Sequence, residues 1–124
     1  MRLLLALGLV ALSGCKCASP PALSPDPRAA PFEDVERAAR GATVRWFFWS
    51  GDGTINKYVD EYVIPEVKRR YEVTLLRVPV DDPALAINRL LAEKQTGKLD
   101  GKVDLVWING ENFRTARQKD LLWG

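Results

Sequence analysis

Two short loops carry most of the side chains that could do chemistry. Trp49 leads into Ser50-Gly51-Asp52-Gly53-Thr54, and Asn109-Gly110-Glu111-Asn112 succeeds an apolar stretch near the other end of the chain. Each loop ends where a helix is expected to begin. The free N–H groups and positive dipole end of a helix favour an anion or a carboxylate, and glycines let the backbone approach a ligand closely. The same residue types have a purely structural use, because Ser, Asp, Thr and Asn cap helices and glycine makes turns. Trp49 and Trp107 lie near expected strand ends, so either could stack on a cationic or aromatic ligand. The loops therefore hold cues for an anion and for a cation, and do not choose between them. Acid–base work would fall to Asp52, Glu111 and Asp104, whose expected positions make no convincing pair. Asp104 comes early in its strand and is expected to make local hydrogen bonds.

Several chemistries are excluded or disfavoured. The chain has no histidine, which removes imidazole zinc sites and Ser-His or Cys-His catalysis. Gly51-Asp52-Gly53 is too short for a phosphate loop, no Gly-Lys-Ser/Thr comes after it, and there is no nucleophile elbow. Cys15 and Cys17 are the two cysteines, and both precede the expected folded part, which then has neither a disulfide nor a thiol nucleophile. Cys-x-Cys could bind a metal in principle. Tyr58, Tyr62 and Tyr71 could suggest phenolate iron ligands, but their spacing fits a helix face packed on a sheet. No metal, no cofactor and no enzymatic activity are expected.

The elements that must position the loops alternate along the chain. A short helix is expected over 32–40, with Pro31 as its start and Gly41 as its stop. Thr43 to Trp49 reads as a strand, β-branched and aromatic. Ile55, Val59, Tyr62 and Val63 recur at helical spacing, and Pro65 should kink or restart that helix before it ends near Tyr71. A second strand is expected over 73–78. Asp82-Pro83 then opens a helix with Leu85, Ile87, Leu90 and Leu91 on its inner side, ending near Gly97. A third strand is expected over 103–108, and a last helix over 111–119. Asn109-Gly110 could also be a hairpin turn, but residues 111–119 lack strand alternation.

Strands apolar on both faces belong in a sheet covered on both sides, and alternation with helices makes it parallel. Right-handed crossovers give an α/β unit whose first strand lies between the second and third, order 2-1-3. The winding reverses between strands one and three and opens a crevice at their carboxyl ends, where ligands sit in open α/β sheets. The candidate ligand-binding residues are Trp49, Ser50, Gly51, Asp52, Asn109, Gly110, Glu111 and Asn112.

Ahead of this unit, Arg2 and the apolar run from Leu3 to Leu12 look like an export signal, far shorter than the roughly 20 apolar residues of a membrane span. Leu12-Ser13-Gly14-Cys15 resembles the lipobox of bacterial lipoproteins. That resemblance implies cleavage after 1–14, a lipid on Cys15 and attachment to the bilayer, either periplasmic or at the cell surface. The segment 15–31 is rich in proline, alanine and serine and reads as an extended tether. Over 32–124 the fifteen basic residues are balanced by fifteen acidic ones, which gives no electrostatic reason to seek nucleic acid.

Three stretches then carry a resemblance to a family. They are Val44-Arg45-Trp46-Phe47-Phe48-Trp49-Ser50-Gly51-Asp52, Tyr71-Glu72-Val73-Thr74-Leu75, and Val103-Asp104-Leu105-Val106-Trp107-Ile108-Asn109-Gly110-Glu111-Asn112-Phe113. Together they resemble the N-terminal part of the solute-binding proteins of ABC importers. The resemblance implies a partial lobe of a periplasmic-binding-protein type fold over 32–124. It implies capture of a small-molecule solute outside the cytoplasmic membrane and delivery to an ABC permease. Such receptors are about three times longer, so the chain is expected to be a truncated form that binds poorly alone. The alternatives are a small lipid-anchored α/β interaction domain, or the opening part of an exported α/β hydrolase.

Overall fold

A computed structural model of the chain describes residues 26–97 and 100–123. The leader over 1–14, the lipidation candidate Cys15, Cys17 and most of the tether lie outside the described residues. The last part of the tether makes one turn of 3-10 helix, Pro27–Ala29, with Asp26 accepting from the Arg28 N–H at 3.0 Å. Pro27 suits that place because the first helical position needs no N–H. Among the described residues no helix is long and apolar enough to cross a membrane.

The elements alternate as expected: α1 (Phe32–Ala39), β1 (Thr43–Trp49), α2 (Gly53–Tyr58), α3 (Ile64–Tyr71), β2 (Thr74–Val80), α4 (Ala84–Gln95), β3 (Leu105–Val106) and α5 (Gly110–Gln118). The fold is α/β, with a three-stranded parallel sheet in the order β2-β1-β3. Phe47 lies in register with Val78 and Val106, and Phe48 with Pro79. Consecutive strand residues point to opposite faces, so these two buried phenylalanines mark two covered faces. On one, Ala86 of α4 packs with Phe47 and Val80. On the other, Arg77 of β2 binds Asp60, between α2 and α3, and lies 5.8 Å over the Phe48 ring. One crossover thus covers each face, as right-handed winding in both directions from β1 requires.

The differences from expectation have local causes. β2 runs on through Pro79 to Val80, which the sheet tolerates because β2 is an edge strand and a missing N–H there breaks no ladder. β3 is short, though its pairing reaches further: the Asp104 N–H donates to Arg45 O at 3.2 Å and the Trp107 N–H to Phe47 O at 2.8 Å. The long helix starts at Gly53 and is interrupted by a π-turn, Val59–Val63, in which the Ile64 N–H reaches back five residues to Val59 O. Pro65 then restarts the helix near the first turn of α3. The extra residue in that turn rotates the helix surface. Val59 is buried, while Tyr58 and Tyr62 stack on each other at 5.4 Å and are 57 % and 52 % exposed. They do not pack on the sheet as their spacing suggested. On α4 it is Ala86 and Ile87 that are buried, while Leu85 faces out.

Candidate functional site

Ser50 fastens the carboxyl ends of two strands and a helix. Its N–H donates to Val80 O at 3.0 Å and its hydroxyl to the same oxygen at 3.3 Å. Its own carbonyl accepts from Asn56 Nδ2 at 2.9 Å. The end of β1 is therefore tied to the end of β2 and to the first turns of α2. Asp52 is the N-cap of α2: its Oδ1 accepts from the N–H groups of Thr54 at 2.8 Å and Ile55 at 2.9 Å, which satisfies two of the donors that every helix start leaves open. Gly51 has a specific reason to be glycine. A Cβ there would come within 2.1 Å of the Trp49 ring, so the indole lies directly over the Gly51 backbone.

The second loop is built the same way. Asn109 caps α5, with Oδ1 accepting from the Asn112 N–H at 3.1 Å, and Gly110 is the first helical residue. Glu111 is exposed in the first turn, where an acidic side chain complements the dipole. The turn is no hairpin. Trp107 does not stand at the crevice: its ring packs against Phe48 at 5.0 Å and lies 6.4 Å from Trp46, on the face covered by α2 and α3.

All three strands are parallel and β1 lies between β2 and β3, so loops 50–54 and 109–112 leave the sheet at one edge, from neighbouring strands. The sheet order brings them together. Asp52 and Asn109 each commit Oδ1 to their own helices, and Ser50 commits its donors to β2. Asn56 is a residue that sequence reasoning missed. Its Nδ2 holds the loop while its Oδ1 is buried with no hydrogen-bond partner. The available signal was an asparagine inside a helix, a place where its side chain competes with the backbone. Asp81 and Asp82, at the end of β2, complete the same edge.

Asp104 lies at the opposite, amino-terminal end of the sheet. Arg45 donates to Asp104 Oδ2 through its backbone N–H and Nε, both at 2.7 Å, and to Oδ1 through a terminal guanidinium nitrogen at 3.0 Å. That guanidinium holds the Asp104 carboxyl below the usual carboxylate range. Asp104 is the local hydrogen-bonding residue expected of it, and its place separates it from Asp52 and Glu111. Among the described residues no group of three or more acidic, histidine or cysteine side chains could hold a metal.

No family model matches the chain, and no solved structure does. Over 95 residues it is 41 % identical to Protein YnjB of Escherichia coli (strain K12), a match covering 76 % of this chain and 24 % of that protein. The chain thus spans about a quarter of the length of the curated relative it matches. These findings overturn the assignment to the solute-binding lipoproteins of ABC importers. The structure shows why the third of the stretches that carried the resemblance, from Val103 to Phe113, misled. Trp107 packs the aromatic cluster, Asn109 caps α5 and Gly110 starts it, so much of Trp-Ile-Asn-Gly-Glu-Asn-Phe is what a strand-to-helix turn here needs without any shared function.

Proposed function

We propose that this chain is a binding module and not an enzyme. Its crevice at the carboxyl ends of β1 and β3 captures a small solute outside the cytoplasmic membrane. One observation supports this above the rest. Two glycine-containing strand-to-helix loops leave adjacent parallel strands at the one edge where the winding reverses, the place where open α/β sheets bind ligands. The reading rests on that edge and on no family assignment.

The test is a solute screen on the 124-residue chain, reading Trp49 emission and thermal stability together. The expected result is a saturable emission change that disappears in Trp49→Phe and weakens when Asp52 and Glu111 are changed to Asn and Gln. Binding that ignores all three changes overturns the reading. A protein-contact role is the second reading, favoured by an apolar groove beside β3 that includes Leu90, Leu105, Ile108, Phe113 and Trp123. Crosslinking confined to that groove, with no solute response, would establish it instead.

A further inference from the structure

We propose a second binding site, beside α3, for an amphipathic organic anion: an apolar body that ends in a carboxylate or phosphate group. It is separate from the crevice proposed above, because α3 ends where β2 begins, at the amino-terminal side of the sheet. A cavity of about 260 Å³ there is lined by Tyr58, Tyr62 and Tyr71 together with Glu66, Val67 and Arg70. Val67 and Tyr71 also line an adjoining trough of about 340 Å³, whose other walls include Phe32, Val35, Ala39 and Val73. These two residues stand one turn apart on α3. They form a ridge with the polar cavity on one side and the apolar trough on the other. The ring of Phe32 at the trough and the stacked rings of Tyr58 and Tyr62 at the cavity are all more than half exposed.

The cavity is rich in donors, and its one carboxylate is already answered. Glu66 accepts from Arg69 at 3.0 and 2.8 Å and from Arg70 Nε at 2.7 Å, so two guanidinium groups face a single acid. Only Nε of Arg70 is engaged: its terminal nitrogens, like the hydroxyls of the three tyrosines, make no hydrogen bond within the described residues. The carboxylates of the surrounding elements are held elsewhere. Asp60 meets Arg77, Glu36 and Glu72 both meet Arg40, and Glu61 lies 3.9 Å from Lys57. Guanidinium and phenol donors suit the oxygens of a carboxylate or phosphate. An ammonium ion would meet donors there and no open acid. In the trough, Phe32, Val35, Ala39 and Val73 offer no hydrogen bond from a side chain, so the part of the ligand seated on them is apolar.

The experiment titrates the 124-residue chain with decanoate and with decylammonium, its cationic counterpart, both below micelle-forming concentrations. Heat of binding and backbone amide shifts are followed together. Decanoate is expected to bind saturably and to move amides within residues 58–73, and decylammonium to bind about tenfold more weakly or worse. Arg70→Gln should weaken decanoate binding about tenfold or more, and Tyr62→Ala about threefold or more. Arg114→Gln, which removes the same charge from α5, should do neither. Vesicles of anionic phospholipid, compared with zwitterionic ones, separate a bilayer headgroup from a free acid as the source of the anion. Co-sedimentation with the anionic vesicles that Arg70→Gln abolishes supports the site with a headgroup as its occupant, even where decanoate is silent. Equal binding of the two ions, binding that Arg70→Gln and Tyr62→Ala leave unchanged, or no response to decanoate or vesicles overturns the inference. Decanoate that moves the amides of 50–54 and 109–112 instead overturns this site and supports the crevice.

Discussion

Phe48 is the most deeply buried large side chain among the described residues, at 1 % exposure, with Trp46 edge-on at 4.6 Å and Trp107 at 5.0 Å. Phe48→Ala should cost about 3–5 kcal/mol, since it removes apolar burial and leaves a cavity, and a urea denaturation midpoint would measure it. Gly51→Ala probes the loop instead. The new methyl collides with the Trp49 ring, which must swing aside, so a changed tryptophan emission with only a modest loss of stability is expected. Carboxylates set the acid response. Arg45 lowers the Asp104 carboxyl, Arg77 lowers Asp60, and hydrogen bonds from Arg69 and then Arg70 hold Glu66 at about 2. A carboxyl depressed in the folded state protonates first in the unfolded chain. Its contribution is therefore full above the unfolded value of about 4 and is lost as pH falls through the folded one. Melting temperature should fall from about pH 4 toward pH 2, and Asp104→Asn should make that fall shallower in a circular-dichroism series.

At the scale of elements, caps and crossovers do separate work, and one residue can be asked which it serves. Asp52→Ala removes the cap of α2 and should cost about 0.5–2 kcal/mol, whereas Asp52→Asn keeps the cap and should cost no more than a few tenths. Thermal melts of the pair check this. If Asp52→Asn nonetheless weakens solute binding, its charge faces the ligand as well as the helix. The capping, the bounds of β1 and the order of the strands were all legible in the residues. Thr43 to Trp49 suits no other element, and handedness leaves few orders for two crossovers. Helix faces were harder to read. Leu85 and Ala86 are both apolar, and only the seat of α4 on Phe47 and Val80 decides which is covered. Tyr58 and Tyr62 were misplaced because a π-turn inserts a residue that a 3.6-residue period does not count. Asn56 became visible only when Ser50 stood beside it, since its role depends on a contact between a loop and a helix.

Across the whole molecule the sheet is held unevenly, and that has a measurable consequence. β1 and β2 pair over seven residues each, from Thr43↔Thr74 to Trp49↔Val80, whereas β1 and β3 pair directly at Trp46↔Leu105 and Phe47↔Val106. The second pairing is prolonged by the Asp104 and Trp107 amides and by the Arg45–Asp104 contact, which joins residues 59 apart in sequence. The terminal guanidinium of Arg45 also donates to Gly101 O at 3.1 Å, so this one side chain gathers the approach to β3. Local opening occurs where few bonds must break, so β3 should open before β1 and β2 part. Native-state hydrogen exchange should show the Trp107 amide exchanging through a smaller opening than the amides of Leu76 and Val78, which point at β1. Asp104→Ala should speed exchange at Trp107 about tenfold or more and leave the β1–β2 amides close to their original rates. Uniform acceleration along all three strands would mean that the sheet opens as a single unit. The loop over 109–112 would then move with the rest of the edge and not independently of the loop over 50–54.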